Sequence, residues 1–186
     1  MWYIWLAVII IIIVVFFILL YWGYYNRIIR IENRIDNSWA QIDVQLKRRT
    51  DLIPNLMETV KGYMQHEKEV LENVTKARSA LMTAKTRQEN IDADNILTGA
   101  LKSLFAVAEN YPDLKANQNF LNLQDELTNT ENKISYSRQH YNDTVLMYNN
   151  IIETFPGLWF AKRMGRKTRD MLHIPEADKE VPKVKF

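Results

Sequence analysis

The stretch from Trp2 to Trp22, WYIWLAVIIIIIVVFFILLYW, contains no charged side chain. At about 1.5 Å of rise per residue, about 20 apolar residues in a helix match the roughly 30 Å hydrocarbon core of a bilayer. Aromatic rings gather at both ends of the stretch, where they favour the level of the lipid headgroups. These residues are Trp2, Tyr3, Trp5, Tyr21, Trp22, Tyr24 and Tyr25. The stretch therefore predicts a transmembrane anchor over residues 1–25.

A cleaved secretory signal is the alternative interpretation of the same stretch. Such a signal has a basic segment before a shorter apolar core, and a small-residue cleavage site after it. Here Trp2 follows Met1 directly, and no Ala-x-Ala-like site precedes Arg27. The sequence therefore favours a span that is retained.

Basic side chains lie on one side of the predicted span. None precedes it, whereas Arg27, Arg30 and Arg34 follow it closely. Because Lys and Arg near a span favour the cytoplasmic side, we expect a single-pass protein with its N-terminus outside and the rest of the chain in the cytoplasm. The chain contains no Cys, so disulfide usage does not inform this choice.

The composition after the anchor is that of one ordinary domain. The 24 Lys and Arg residues nearly balance the 22 Asp and Glu residues, and the net charge is +2. Such a balance gives no strong basic field, so we expect no nucleic-acid partner. Gly and Pro occur only five times each, and apolar residues recur every three or four positions after Asn26. This pattern predicts long helices rather than a sheet.

The first apolar helix face follows the anchor without a turn signal, so the anchor should continue as one helix. The face consists of Ile28, Ile31, Ile35, Trp39, Ile42 and Leu46. At Pro54 the helix should either kink near Asp51 or end and restart, because proline removes a backbone donor and clashes one turn back. A second helix should then run to about Arg87.

A polar connection is expected over residues 86–95, with Asp92 and Asp94 as candidate helix caps. A third helix from Ile96 to Ala108 should follow it, and Pro112 should start the next element.

A strict seven-residue repeat marks the fourth predicted helix, from about Leu114 to Thr154. Its members are Phe120, Leu127, Ile134, Tyr141, Tyr148 and Phe155. Such a repeat implies left-handed packing of the coiled-coil type. The predicted fold is therefore all-α, with a single N-terminal transmembrane helix that continues into an antiparallel bundle of long helices over residues 26–155.

The companion seam of the fourth helix is polar in its middle. Glu131, Arg138, Asn142 and Asn149 lie on or beside positions where Leu or Ile is expected. If these side chains are buried they must be paired, because an unpaired buried charge costs several kcal/mol. Arg78 on the second helix is the candidate partner of Glu131. The network either fixes the register of the bundle, which is the simpler interpretation, or forms a ligand site.

The segment over residues 156–173 combines bulky aromatic and basic side chains. Such a segment either lies in the headgroup region of an anionic leaflet or caps the core of the bundle with Trp159 and Phe160. The residues expected at the membrane surface are Trp159, Phe160, Lys162, Arg163, Arg166 and Lys167. Residues 174–186 are expected to form a C-terminal tail.

Seven segments in one order resemble the LemA family. They are YYN (24–26), WAQIDVQLKRRTDLIPNLMETVKGYMQHE (39–67), KAR (76–78), YPDLKANQNFLNLQDEL (111–127), ENKISYSRQHYNDTVLMYNN (131–150), FP (155–156) and VPKVKF (181–186). The resemblance covers nearly the whole chain. It implies a bacterial inner-membrane protein with one N-terminal span and an antiparallel helical bundle, and it implies no particular activity. The segment after Pro156 is more basic than this family pattern.

The sequence contains no recognisable catalytic or metal-binding constellation. The three His residues fall on different predicted elements, and His66-Glu67 lacks the second His that a zincin needs. There is no Gly-rich phosphate loop and no nucleophile elbow. We therefore expect neither an enzyme activity nor a cofactor.

The expected function is that of a non-enzymatic scaffold whose first partner is the lipid bilayer. A lone helix does not shield Ile28, Ile31 and Ile35, so these residues should contact identical copies in a cyclic homo-oligomer unless the bundle covers them. The alternative is an accessory or adaptor subunit of membrane-protein quality control or envelope signalling. That subunit would act through a membrane-protein hetero-partner.

Overall fold

The computed structural model describes residues 1–173, which form helices joined by short turns with no strand among them. In chain order the helices are α1 (Trp2–Lys61), α2 (Lys68–Thr83), α3 (Arg87–Ala108), α4 (Pro112–Lys115), α5 (Gln118–Glu153) and α6 (Gly157–Arg163). The predicted all-α fold, with a long apolar N-terminal helix and a helical bundle, is confirmed. The predicted tail, residues 174–186, lies outside the described residues.

Helix α1 runs for 60 residues from the apolar stretch into the polar part of the chain, with Pro54 inside it. The expectation that a helix ends and restarts at this proline is therefore wrong. Proline has no N–H for the carbonyl four residues earlier, which belongs to Thr50. In the structure Arg78 on α2 supplies the missing donor, with its Nε 2.9 Å from that carbonyl oxygen. The neighbours Ile53 and Leu56 are buried and hold the helix in place.

Two predicted boundaries are wrong on either side of α2. The expected helix from Pro54 to Arg87 is interrupted by a turn that starts at Gly62, where the helix propensity is low. The expected connection over residues 86–95 belongs mostly to α3. Thr86 and Glu89 form a capping box, in which the Thr86 side chain accepts a hydrogen bond from the Glu89 backbone N–H at 3.1 Å. Asp94 consequently lies inside a helix rather than at its cap.

The described residues divide into two compact units, which we call the first and the second unit. The first unit comprises Met1–Trp39 and His140–Met171, and the second comprises Ala40–Gln139 with Leu172 and His173. Beyond the apolar stretch, the first unit has a core drawn from α1, α5 and α6. Its core residues are Ile28, Ile31, Ile35, Tyr141, Val145, Tyr148, Ile152, Phe160 and Ala161.

The second unit buries apolar side chains from α1 to α5. Its core residues include Ile42, Leu46, Ile53, Leu56, Val74, Leu81, Ile91, Leu97, Leu101, Leu104, Leu114, Phe120, Leu127 and Ile134. Helices α2 and α3 form a hairpin and pack on each other. Five members of the seven-residue repeat are buried, whereas Phe155 is exposed because α5 ends before it.

Candidate functional site

A buried cluster of charged side chains lies in the second unit, with members on α1, α3 and α5. Asp94 on α3 accepts hydrogen bonds from Arg49 Nη1 at 2.8 Å and from Arg138 Nη2 at 2.6 Å, one on each carboxylate oxygen. The side chains of Arg49, Asp94 and Arg138 are 1%, 2% and 7% exposed. Each of these buried charges therefore has a partner of opposite sign.

Partly exposed polar groups surround this cluster. Arg138 Nη1 donates to Asn95 Oδ1 at 2.9 Å. Glu131 Oε2 lies 3.6 Å from Arg49 Nη2, beyond hydrogen-bonding distance, and the Glu131 side chain is 40% exposed. A pocket of about 390 Å³ opens beside these groups and is also lined by Lys102. Because both oxygens of Asp94 are occupied by arginines, the arrangement suits a structural ion cluster that ties three helices together.

The predicted pairing of Arg78 with Glu131 is wrong. Arg78 donates to the Thr50 carbonyl, and the ion pair that Glu131 makes is with Arg49. The sequence reasoning missed both Arg49 and Asp94. The apolar spacing contains a signal for each, because Arg49 lies on the line of Ile42, Leu46, Ile53 and Leu56, and Asp94 lies on the line of Ile91, Leu97 and Leu101. A charge at such a position lies on the core side of its helix.

The two asparagines of the predicted network belong to the first unit. Asn149 binds the backbone of Arg169 twice, because its Nδ2 donates to the carbonyl and its Oδ1 accepts from the N–H, both at 2.9 Å. Asn142 is half-buried on α5. Of the predicted network, the structure therefore brings Arg138 and Glu131 to the Asp94 cluster, whereas Arg78 binds the Thr50 carbonyl and Asn149 binds the Arg169 backbone.

The predicted contact residues Ile28, Ile31 and Ile35 are buried within a single chain. The contact with identical copies was expected if the end of the bundle did not reach these residues. The first unit includes α6, whose Phe160 contacts Tyr21 and Tyr24 on α1. These two tyrosines precede Ile28 in the chain, so the end of the bundle extends past the three isoleucines. The exposed apolar face from which the homo-oligomer was predicted is therefore absent.

Helix α6 divides the predicted membrane-surface residues into two sets. Phe160 is buried, with its ring stacked at 5.0 Å on Tyr24 and edge-on at 5.8 Å to Tyr21. Its expected contact with the membrane surface is wrong, because it packs on α1. Trp159 is 56% exposed, and the Arg163 guanidinium lies 6.0 Å from the centroid of its ring. Lys162, Arg163 and Lys167 are exposed.

Glu32 on α1 anchors the segment that follows α6. Its Oε2 lies 3.2 Å from Arg166 Nη2, so this residue of the predicted membrane-surface set is paired with α1. The Tyr148 hydroxyl lies 3.2 Å from Glu32 Oε1 and 3.1 Å from the Lys167 carbonyl oxygen, and it donates to one of them at a time. Burial raises the pKa of Tyr148, and the negative charge of Glu32 raises it further.

A close approach fixes the start of α6. A Cβ on Gly157 would lie 2.0 Å from the carbonyl oxygen of Ile151, so no larger residue fits there without a shift of the backbone. Gly165, just after α6, has φ of 66°, which is the left-handed region that favours glycine. These two glycines let the chain turn tightly before and after α6.

Two further features of the described residues bear on function. No group of three His, Cys, Asp or Glu side chains within residues 1–173 is placed to hold a metal ion. One helix in this range, α1, is long and apolar enough to cross a membrane by its length and composition.

Comparisons with known proteins give one consistent result. The description of the family model that matches residues 38–186 is "LemA family". A curated relative, "Protein LemA" from Metamycoplasma hominis, is 32% identical over 143 residues, which cover 73% of this chain. The match spans 62% of that relative's length.

Proposed function

This chain belongs to the LemA family, and from that membership we propose that it is a non-enzymatic helical scaffold anchored in a membrane by the start of α1. The observation that carries the proposal is the contrast along α1. Every residue from Trp2 to Leu19 is exposed, although almost all of them are apolar, whereas Ile28, Ile31 and Ile35 are buried in the fold. A hydrocarbon medium removes the cost of such an exposed apolar helix.

The proposed location is the bacterial inner membrane, with the N-terminus outside and the bundle in the cytoplasm. Arg27, Arg30 and Arg34 support this orientation because all three are exposed just after the apolar segment. Basic residues at this position favour the cytoplasmic side of a span.

The scaffold role is supported by the way the chain uses its buried charges. Asp94 holds two arginines, and Glu32 holds Tyr148 and Arg166, so each carboxylate connects separate parts of the chain. Groups used in this way keep helices in register and present a stable surface.

Action through a hetero-partner is the second candidate function, either as an accessory subunit of membrane-protein quality control or in envelope signalling. The burial of Ile28, Ile31 and Ile35 favours it over self-association, because these residues have no free face left for a second copy. A native mass measurement of the detergent-solubilised protein separates a scaffold that self-associates from a subunit that acts through a hetero-partner. A multiple of the 22.0 kDa chain mass supports self-association, and a single chain mass supports the hetero-partner.

Labelling of single cysteines tests the anchor and its orientation, because the chain has no cysteine of its own. Gln118→Cys, at an exposed position of the second unit, should react with a membrane-impermeant maleimide only after the cells are permeabilised. Tyr3→Cys is the matched control and should react in intact cells. Ready labelling at position 118 in intact cells would reverse the orientation, and release of the protein by alkaline carbonate would refute the anchor.

A further inference from the structure

We propose that the exposed face of α6, together with Phe155, is a binding surface for anionic lipid headgroups at the base of the span. The surface consists of Phe155, Leu158, Trp159, Lys162 and Arg163. The inference rests on the proposed function, because it requires α1 to cross a bilayer.

The contacts of Phe160 place α6 at the end of the apolar segment. Its ring packs on Tyr21 and Tyr24, and Tyr24 lies only about 3 Å of helix rise beyond Trp22. If Trp22 marks the edge of the hydrocarbon core, α6 lies at the level of the headgroups. The Glu32 to Arg166 pair and the two hydrogen bonds of Asn149 hold the following segment in the same unit.

The two sides of α6 differ in the way an interfacial helix requires. Gly157, Phe160 and Ala161 are buried on one side. On the other side Leu158 and Lys162, and likewise Trp159 and Arg163, are four residues apart and share a face. Phe155 is 87% exposed and Trp159 is 56% exposed, so the free face carries large aromatic rings beside basic groups. Aromatic rings with basic neighbours suit the boundary between headgroups and acyl chains.

The charge of this face selects the lipid. No acidic residue occurs between Phe155 and Arg169 in the sequence. Arg166 is paired with Glu32, whereas Lys162, Arg163 and Lys167 are exposed. Each basic residue near an anionic leaflet favours contact by roughly fivefold. A phosphatidylglycerol-type headgroup therefore fits this face better than a zwitterionic one does.

The test uses the full-length protein in nanodiscs of phosphatidylcholine alone or of phosphatidylcholine with phosphatidylglycerol. Leu158→Cys carries a fluorophore on the surface, and Gln118→Cys carries the same fluorophore on the second unit as the position control. Quenching by lipids with a headgroup-level quencher reports contact. We expect strong quenching at position 158 in anionic discs and weaker quenching there in neutral discs. At position 118 the quenching should be the same in both kinds of disc.

Charge variants test the selectivity. Lys162→Gln with Arg163→Gln should bring the quenching at position 158 in anionic discs down to the level in neutral discs. Lys61→Gln with Lys133→Gln removes the same charge from exposed positions elsewhere and should leave the quenching unchanged. High salt should reduce the excess in anionic discs, because screening shortens the reach of surface charges. The helical circular dichroism of each variant shows whether it is folded.

The two proposals fail in different ways. If the protein does not co-elute with nanodiscs of either composition, the membrane anchor itself is refuted. If it co-elutes but position 158 is equally quenched in both compositions, or stays in water in both, the lipid surface is refuted while the anchor stands. A probe at position 158 that stays in water in both compositions would indicate that the exposed aromatic rings bind a protein partner.

Discussion

At the scale of single residues, Asp94 links three helices of the second unit. It is the only acidic residue among the described core residues, and its two oxygens serve Arg49 and Arg138. Removing the carboxylate would take away the acceptor to which the buried guanidinium groups of Arg49 and Arg138 donate. Removing Glu131 would leave Arg49 with Asp94 still bound, because the Glu131 side chain is 40% exposed and its Oε2 lies 3.6 Å from Arg49 Nη2, beyond hydrogen-bonding distance.

We expect Asp94→Ala to lower the free energy of unfolding by about 3 to 5 kcal/mol, the usual cost of breaking a buried ion pair. Glu131→Ala should cost under about 1 kcal/mol, as exposed pairs do. Asp92→Ala, an exposed acidic residue on the same helix, is the control for the loss of a charge from α3. Urea unfolding followed by circular dichroism measures all three. Equal costs for Asp94→Ala and Glu131→Ala would contradict this account of the cluster.

At the scale of the helix, Pro54 shows how α1 accepts a residue that normally ends a helix. The carbonyl of Thr50 has lost its partner within the helix, and Arg78 replaces that partner from α2. Arg78 thus connects α1 and α2 through a backbone group that only the proline leaves free. The same reasoning predicts that the contribution of Arg78 to the free energy of unfolding depends on the residue at position 54.

A double-mutant cycle measures this dependence. Arg78→Met should cost about 1 to 3 kcal/mol in the natural sequence, because it leaves a buried carbonyl without a donor. In a Pro54→Ala background the restored N–H should serve the Thr50 carbonyl, so Arg78→Met should cost less than it does alone. Unfolding midpoints in urea give the four stabilities. Strictly additive costs would show that Arg78 does not compensate for the proline.

The sequence predicted helix type better than helix limits or helix partners. The apolar spacing identified the long helices. The polar composition of residues 86–95 favoured a connection, although Thr86 and Glu89 have the spacing of the capping box that begins α3. Arg49 and Asp94 lay visibly on apolar faces. Their pairing required the relative register of three helices, and a single sequence does not contain that register. The Arg78 bond was beyond prediction because its acceptor is a backbone atom.

At the scale of the whole molecule, the burial of Ile28, Ile31 and Ile35 changes what substitutions there should do. Ile35→Ala removes part of the core of the first unit, so it should destabilise that unit by about 2 to 5 kcal/mol. The native mass in detergent should stay that of the unsubstituted protein. Val44→Ala, at an exposed position on the same helix, is the control and should change neither quantity measurably. A lower mass for Ile35→Ala with unchanged stability would restore the predicted contact between copies.

The first unit is assembled from two stretches of chain that synthesis produces at different times. A ribosome releases Met1–Trp39 first, and His140–Met171 follows only after the intervening second unit. At 5 to 20 residues per second, roughly 100 intervening residues take about 5 to 20 s to translate. During that interval Ile28, Ile31 and Ile35 lack the His140–Met171 part of their unit. A stalled or truncated nascent chain should therefore recruit chaperones through Ile28, Ile31 and Ile35, and the finished chain should not.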